Sequence, residues 1–347
     1  MRFYTKNHRY YCGIDLHARV LYVCILDAEG QILVHQNIPA TSMDLIDLLG
    51  PYLHEDIVIG VECMHCWYWV SNLCQQFNLP FVLGHALYMR AIHGGKAKND
   101  KIDLLKIAKL LKSGMFPLAY NYPEPMRATR DLLRRRMHLM RKRAELLTHI
   151  KNTNSQYNLE PIDLNLRYVQ NRTLMQDRFE DPSVQRSVDM DLHLIDFYDR
   201  ELSSVECFID KHARQHDYQQ YVILRSVPGI GQILALSILY EIGDINRFNR
   251  VQQFASYARL VKCKAESAGK TYGTSGAKIG NAHLKWAFSE ATVLYLRKNP
   301  KGQQYLKQLQ KRMSKAKALS ALAHKLGRTV YFMLKRGRMF DEAQFLS

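Results

Sequence analysis

Four carboxylates stand where metal-assisted phosphoryl chemistry could use them. Asp15 closes the run YYCGID, and Glu62 closes the near-continuous apolar run IVIGVE. Asp100 and Asp103 are three residues apart at the start of a helix-like segment, so they share a face. A helix N-terminus tolerates such charge. If 10–15 and 57–62 are parallel neighbouring strands, Asp15 and Glu62 emerge at one sheet edge. Four acids brought together repel, and hard carboxylate oxygens then call for Mg2+ or Mn2+. Two such ions about 4 Å apart activate a nucleophile and stabilise a leaving oxygen in phosphoryl transfer. Taken singly, Asp100 reads as an ordinary N-cap and Asp103 as a first-turn acid. Asp15 and Glu62 are harder to dismiss, because an acid ending an apolar strand beside glycine is costly unless solvated or used.

The elements around these acids read as an α/β domain over 1–120. Three β-rich runs, Tyr10–Asp15, Leu21–Asp27 and Gln31–Ile38, form a meander. Ser42 caps a helix to about Leu53. Ile57–Glu62 is a strand buried on both faces, and a helix follows over Trp67–Phe77. Leu79–Leu83 is a fifth strand, 92–99 a loop with two glycines, and Asp100–Leu111 a helix. The order βββ-α-β-α-β-α gives helices covering a mixed sheet. Residues 121–215 differ. Leu133, Met137, Met140, Ala144 and Leu147 alternate spacings of four and three; Val188, Ile195, Leu202 and Ile209 recur every seven, with Tyr198 and Val205 between. Both read as the seam of a coiled coil or an antiparallel helical hairpin, with 152–187 a polar connection or irregular insert. Residues 216–347 are helical and basic.

Charge separates these segments by task. The 347-residue chain carries a formal +17 at 47% apolar and 23% charged residues. Residues 1–125 are balanced, 126–151 carry +7, 152–215 carry −5 and 216–347 carry +15. So strong a one-sign bias favours a polyanion over a small neutral substrate. No apolar run is long enough to span a membrane, no secretory signal is expected, and an odd count of seven scattered cysteines fits a reducing cytoplasm. Cys63-x-x-Cys66 lacks a second ligand pair for zinc and a thioredoxin-like context. Arg130, Arg134, Arg135, Arg136, Arg141 and Arg143 make one face of a long helix basic, suited to tracking a nucleic-acid backbone. The turn Ser226-Val227-Pro228-Gly229-Ile230-Gly231 is like a helix-hairpin-helix, with Gly229 and Gly231 freeing N–H groups for a phosphate.

The set GID (13–15), VE (61–62), NDKID (99–103), SVPGIG (226–231) and AESAGKTYGTSGAKIGNAHLK (265–285) resembles the DEDD insertion-sequence transposases, relatives of the Piv-type DNA invertases. That resemblance implies an RNase H-like (RuvC-like) α/β nuclease domain over 1–120. It implies a coiled-coil or helical-hairpin region over 121–215 and a mostly α-helical transposase domain over 216–347. It makes Asp15, Glu62, Asp100 and Asp103 the acidic tetrad for Mg2+ (or Mn2+). Ser267 becomes the nucleophile that forms a covalent phosphoserine link to DNA, with Lys270 and Lys278 of the same segment among the nucleic-acid contacts. The implied partners are donor and target DNA, a noncoding bridge RNA that guides the reaction, and further copies of the chain, a dimer assembling to a tetramer. No membrane is involved; the implied place is the bacterial cytoplasm, at the nucleoid when active. The chain departs from the family where Cys63-Met64-His65-Cys66-Trp67-Tyr68 follows Glu62 in place of small residues and a Gly-x-Tyr. It departs again at ESAG in place of ESG, with Thr271, Thr274 and Ser275 as neighbouring hydroxyls. Two other readings use the same residues: a junction-resolving, metal-dependent endonuclease that attacks with water, and a non-catalytic nucleic-acid-binding protein.

Overall fold

The computed structural model describes residues 2–92, 100–175, 177–213, 217–267, 270–275 and 279–347; for 91, 100–104, 213, 263–267, 271, 272, 274 and 275 it describes the backbone alone. The expected loop 92–99 lies outside the described residues except for Ile92, which ends a helix. The chain divides into two compact units, Met1–Glu124 and Pro125–Ser347.

The first unit is a five-stranded mixed sheet. Its strands are β2 (Tyr10–Leu16), β3 (Val20–Asp27), β4 (Ile32–Pro39), β5 (Ile57–Glu62) and β6 (Phe81–Gly84), and its helices α1 (Ser42–Leu49), α2 (Tyr68–Gln76), α3 (Ala86–Ile92) and α4 (Asp100–Lys112). A short pair, β1 (Phe3–Tyr4) and β7 (Phe116–Pro117), borders the β6 edge, where Gly84 and Leu118 make an antiparallel bridge. The order across the sheet is β4-β3-β2-β5-β6; β2–β3 and β3–β4 are antiparallel, β2–β5 and β5–β6 parallel. The two apolar runs become the interior strands, and β4, mostly exposed, forms an edge.

Alternation along the strands assigns the faces. Cys12, Ile14 and Leu16 of β2 and Ile57, Ile59 and Val61 of β5 pack in one cluster with Leu45 and Leu49 of α1 and Val70 and Leu73 of α2. Tyr11 and Val58 pack on the other face with Ile107, Ala108, Leu110 and Leu111 of α4. With a period of two, Gly13, Asp15, Gly60 and Glu62 belong to the α4 face. Gly13 and Gly60 are register partners at the middle of the parallel pair. A Cβ on Gly13 would stand 2.5 Å from the Ala108 backbone nitrogen, and one on Gly60 2.6 Å from a Leu111 methyl. The absence of two side chains therefore lets α4 lie directly on the sheet.

The expected strands and helices are found within a residue or two, with four differences. Thr41, not Ser42, caps α1, its hydroxyl accepting from the Asp44 N–H at 3.2 Å. α1 stops at Leu49 because Pro51 follows in a tight 3-10 turn, Gly50–Tyr52. α3 and the β1–β7 pair have no counterpart in the sequence reading. The last expected strand begins two residues later than Leu79, at Phe81.

The second unit opens with two long helices, α5 (Glu124–Gln156) and α7 (Pro182–Ala213), joined through α6 (Val169–Arg172) and a 3-10 turn, Thr173–Met175. They run antiparallel. Arg136 pairs with Glu206 at 2.6 Å, Arg143 with Asp199 one heptad on in both helices, and His149 with Asp191 at 2.5 Å. Val188, Ile195, Leu202 and Ile209 are all buried, as the sevenfold spacing predicts. At the hairpin tip Leu166, Met175 and Phe179 of the polar connection close a small core over Ile150, Val188 and Ile195. At its base Met126, Leu133 and Ile209 join a larger core. That core is built by α8 (Tyr218–Arg225), α9 (Gln232–Ile242), α10 (Val251–Tyr257), α11 (Ala282–Arg297), α12 (Pro300–Gln310), α13 (Lys315–Arg336) and α14 (Glu342–Leu346). Where the sequence separates 121–215 from 216–347, this shared core joins them. α9 is buried continuously from Leu234 to Ile242, which makes it the central helix. A β-hairpin, β8 (Cys263–Ser267) and β9 (Lys270–Ser275), is the sheet element of this unit among the described residues. No described helix is long and apolar enough to cross a membrane.

Glycine inside a strand ordinarily weakens it, so replacement by alanine should stabilise. At Gly13 and Gly60 the opposite is expected. Gly13→Ala and Gly60→Ala should each destabilise the first unit by about 1–3 kcal/mol through overpacking against α4, read as a lowered urea midpoint.

Candidate active site and nucleic-acid interface

Asp15 and Glu62 are where the parallel pairing carries them. The last β2–β5 register pair is Ile14 with Val61, so the two acids follow it side by side at the C-terminal ends of adjacent strands. Asp15 is the penultimate residue of β2 and opposes Tyr22 of β3; Glu62 ends β5 opposite Gly84 of β6. Both are partly buried.

The direction of α4 follows from its packing. Lys112, its last residue, lies 3.2 Å from the Cβ position of Gly30, in the β3–β4 turn at the Tyr10 end of β2. Ala108 lies on Gly13. The helix thus runs antiparallel to β2, with its first turn toward the Asp15 end. From Ala108 back to Asp103 is about 7.5 Å at helical rise, and from Gly13 to Asp15 is about 6.6 Å at strand rise. The backbone of Asp103 is therefore level with Asp15, and Asp100 lies one turn further along. The side chains of Asp100 and Asp103 lie outside the described residues. Among the described residues no group of three His, Cys, Asp or Glu is poised to hold a metal ion.

Two neighbours of Asp15 escape a reading of the sequence. His17 Nε2 is 3.5 Å from Asp15 Oδ2. The Cys66 thiol donates to the Leu16 carbonyl at 3.7 Å, and burial together with the Asp15 charge raises its pKa. The Cys63–Tyr68 departure thus returns the chain against the end of β2.

In the second unit Ser267 is the last residue of β8 and pairs with Lys270, the first of β9. It therefore stands at the tip of a hairpin; residues 268–269 and its own side chain lie outside the described residues. Lys270 is exposed, and Lys278 lies outside the described residues.

The arginines of α5 have a different fate from the one their spacing suggests. Only Arg135 and Arg141 of the six are exposed. Arg136 and Arg143 hold α7. Arg130 and Arg134 hold Glu241 of α9, at 3.1 and 2.6 Å. Glu241 is 4% exposed, and it also accepts from the Asn281 amide at 2.7 Å. Burial pushes the Glu241 carboxyl up; the Arg134 hydrogen bond, the charges of Arg130 and Arg134 and the Asn281 amide outweigh it and hold it below the ordinary value. Asn281 in turn caps α11, its oxygen accepting from the His283 and Leu284 N–H groups. The Gly-Asn-Ala-His motif is thus a helix cap fastened to a buried carboxylate. An asparagine just before an apolar periodic run is the signal for it in the sequence.

The PGIG turn is a helix–turn–helix joint between α8 and α9. Gly229 has φ +88°, and a Cβ there would stand 2.4 Å from the Tyr295 backbone nitrogen. The close approach that requires glycine here is to the backbone of α11. Gly231 caps α9 with open space around it.

Both units have counterparts among known proteins. A family model for a DEDD transposase matches residues 12–158, and one described as "Transposase IS116/IS110/IS902 family" matches 221–307. The chain belongs to that transposase family. It is similar to the transposase for insertion sequence element IS1111A of Coxiella burnetii, 24% identical over 93% of this chain and 89% of the relative. It is also similar to the pilin gene-inverting protein of Moraxella bovis, 28% identical over 35% of this chain and 38% of that protein. The insertion element IS116 uncharacterized 44.8 kDa protein of Streptomyces clavuligerus is 27% identical over 35% and 31%. The first model begins within β2 and covers the acids; the second begins at α8 and ends in α12. The transposase's two matched regions thus meet on the helical pair that Glu241 fastens.

Removing the Glu241 charge takes from buried Arg130 and from Arg134 the carboxylate they share. Glu241→Gln should destabilise the transposase by about 3–5 kcal/mol at neutral pH. A carboxyl held below its ordinary value of 4.5 contributes fully above that value and loses the contribution as pH falls through its own lower pKa. Urea midpoints of wild type and variant should therefore converge on acidification below about pH 4.5.

Proposed function

We propose that this transposase cuts and rejoins donor and target DNA by serine attack at a divalent-metal site, guided by a noncoding bridge RNA. What supports the reading is where the backbone carries the acids. Asp15 and Glu62 end adjacent parallel strands, on the face covered by the helix whose first turn holds Asp100 and Asp103. The sheet order, three antiparallel strands followed by two parallel ones with acids on its first and fourth strands in chain order, supports an RNase H-like (RuvC-like) domain.

The donor set is chemically suited to Mg2+ or Mn2+: it consists of hard carboxylate oxygens on rigid elements, with no thiolate needed. Asp15, Glu62, Asp100 and Asp103 would hold the ions. When bound, they would lower the pKa of the attacking hydroxyl and neutralise charge on the leaving oxygen. Ser267 supplies that hydroxyl. Its oxygen bonds to the phosphorus as the bond to the 3′ oxygen breaks; the serine proton is released and the 3′ oxygen takes up a proton. The product is a DNA 5′-phosphoserine link with a free 3′-hydroxyl, which preserves the phosphodiester energy for rejoining. A serine is a weak nucleophile unaided, which is why the acids are indispensable to this reading. Exchange of two duplexes requires more than one such serine, so the active form is a dimer assembling to a tetramer. The bridge RNA rests on the family resemblance.

The test is incubation of the protein with its co-purified RNA, donor DNA and Mg2+, followed by isolation of a covalent protein–DNA adduct. The adduct should map to Ser267 and vanish in Ser267→Ala, and Asp15→Asn or Glu62→Gln should lower its yield by at least about 10³-fold, as removal of catalytic charge stabilisation does. Full cleavage by Ser267→Ala would establish water attack instead.

A further inference from the structure

We propose that the turn joining α12 to α13 is the principal grip of this transposase on the backbone of duplex DNA, in place of the arginine-rich face of α5. The inference deepens the function proposed above and rests on its DNA substrate. Between Glu290 and Asp341 the chain has no acidic residue and thirteen lysines and arginines. Several of these cations are used internally. Lys325 donates to the Tyr305 hydroxyl and the Ser347 carbonyl, Lys335 donates to Asn246, and Arg336 lies over the Phe332 ring. Arg297, Lys298, Lys301 and Arg338 are exposed as well but are spread along the stretch, whereas the turn gathers its cations. Lys307, Lys311, Arg312, Lys315 and Lys317 are all exposed, and none makes an ion pair among the described residues.

Lys307 and Lys311 are one helical turn apart, on neighbouring positions of one face about 6 Å apart. Lys315 and Lys317 open the next helix, so the five charges are gathered within eleven residues on a rigid corner. The apolar side of that corner is anchored: Gly302 packs against the Tyr295 ring, and Ala318 and Leu322 are buried. Four of the five are lysines, compact point charges on flexible stems that suit phosphate. Such a surface holds a uniform polyanion in place and leaves sequence choice to other parts of the assembly. On α5 the opposite holds, because Arg130, Arg134, Arg136 and Arg143 already have carboxylate partners within the chain. Moving them to phosphates would strip Glu241 and Glu206 of their counter-charges and leave Asp199 with Arg172 alone. Duplex DNA is the occupant because the corner presents positive charge alone and the function proposed above acts on donor and target DNA.

The experiment is a salt titration of the full-length protein on a short mixed-sequence DNA duplex, with an RNA of equal length run beside it. On duplex DNA the log–log slope of affinity against salt is about 0.9 for each phosphate that a protein cation neutralises. Replacing all five cations with glutamine should lower the slope by about four and weaken low-salt binding at least 100-fold. Replacing the four lysines with arginine should leave the slope unchanged, which separates charge from folding. Arg135→Gln with Arg141→Gln should change it by less than one. A wild-type slope in the five-glutamine variant would overturn the proposal, as would loss of RNA binding with DNA binding intact. If the wild-type protein fails to bind the duplex at all, the DNA-recombinase reading falls with it; a binding wild type with an unaffected variant sinks this inference alone.

Discussion

The absence of two side chains sets the geometry of the acidic site. Gly13 and Gly60 stand side by side at the centre of the sheet, and α4 rests where their Cβ atoms would be. An ordinary residue at either position would lift the helix off the strands. The acids depend on that closeness, because Asp15 and Glu62 belong to the strands and Asp100 and Asp103 to the helix. Like charges do not draw such elements together; they repel at close range. The sheet–helix packing of Tyr11, Val58, Ile107, Ala108 and Leu111 supplies the opposing cohesion. Apolar packing thus sets how near the backbone of the helix comes to the strand ends that carry Asp15 and Glu62.

Charge in the second unit divides into two populations that sequence alone renders alike. One is internal: Arg130 and Arg134 neutralise Glu241 within the central core, and Arg136 and Arg143 bridge the long helices. A buried carboxylate with two guanidiniums is poor as a source of net stability but costly to break, and it fixes one arrangement of α5, α9 and α11. The other population is exposed, on α12 and α13, and faces no acid in its own stretch of chain. The second adds its charge to the field without a carboxylate partner among the described residues.

Much of the first unit is legible in the sequence because its strands alternate or run apolar and its helices recur at helical spacing. The parallel placement of Asp15 beside Glu62 follows from those patterns. What the sequence hides is non-local or polar. Glu241 meets Arg134 across 107 residues and Arg130 across 111, so no window of sequence pairs them. The β8–β9 ribbon, CKAES and KTYGTS, is held by backbone pairing and has no apolar alternation to betray it. Gly229 reads as a phosphate cradle because φ > 0 and close approach leave the same mark in sequence whether the neighbour is a ligand or, as here, the backbone of α11. The tetrad's remaining half, Asp100 and Asp103, is carried by helix direction alone.

The α5–α7 pairing has an evolutionary corollary. Its rungs join 136 to 206 and 143 to 199, steps of seven on both strands of the ladder. Loss or gain of a few residues in one helix would rotate its cations away from their carboxylates and its seam away from Val188 and Ile195. A change in arm length that keeps these rungs would have to come in matched heptad increments in both helices, a quantised ruler rather than an elastic one.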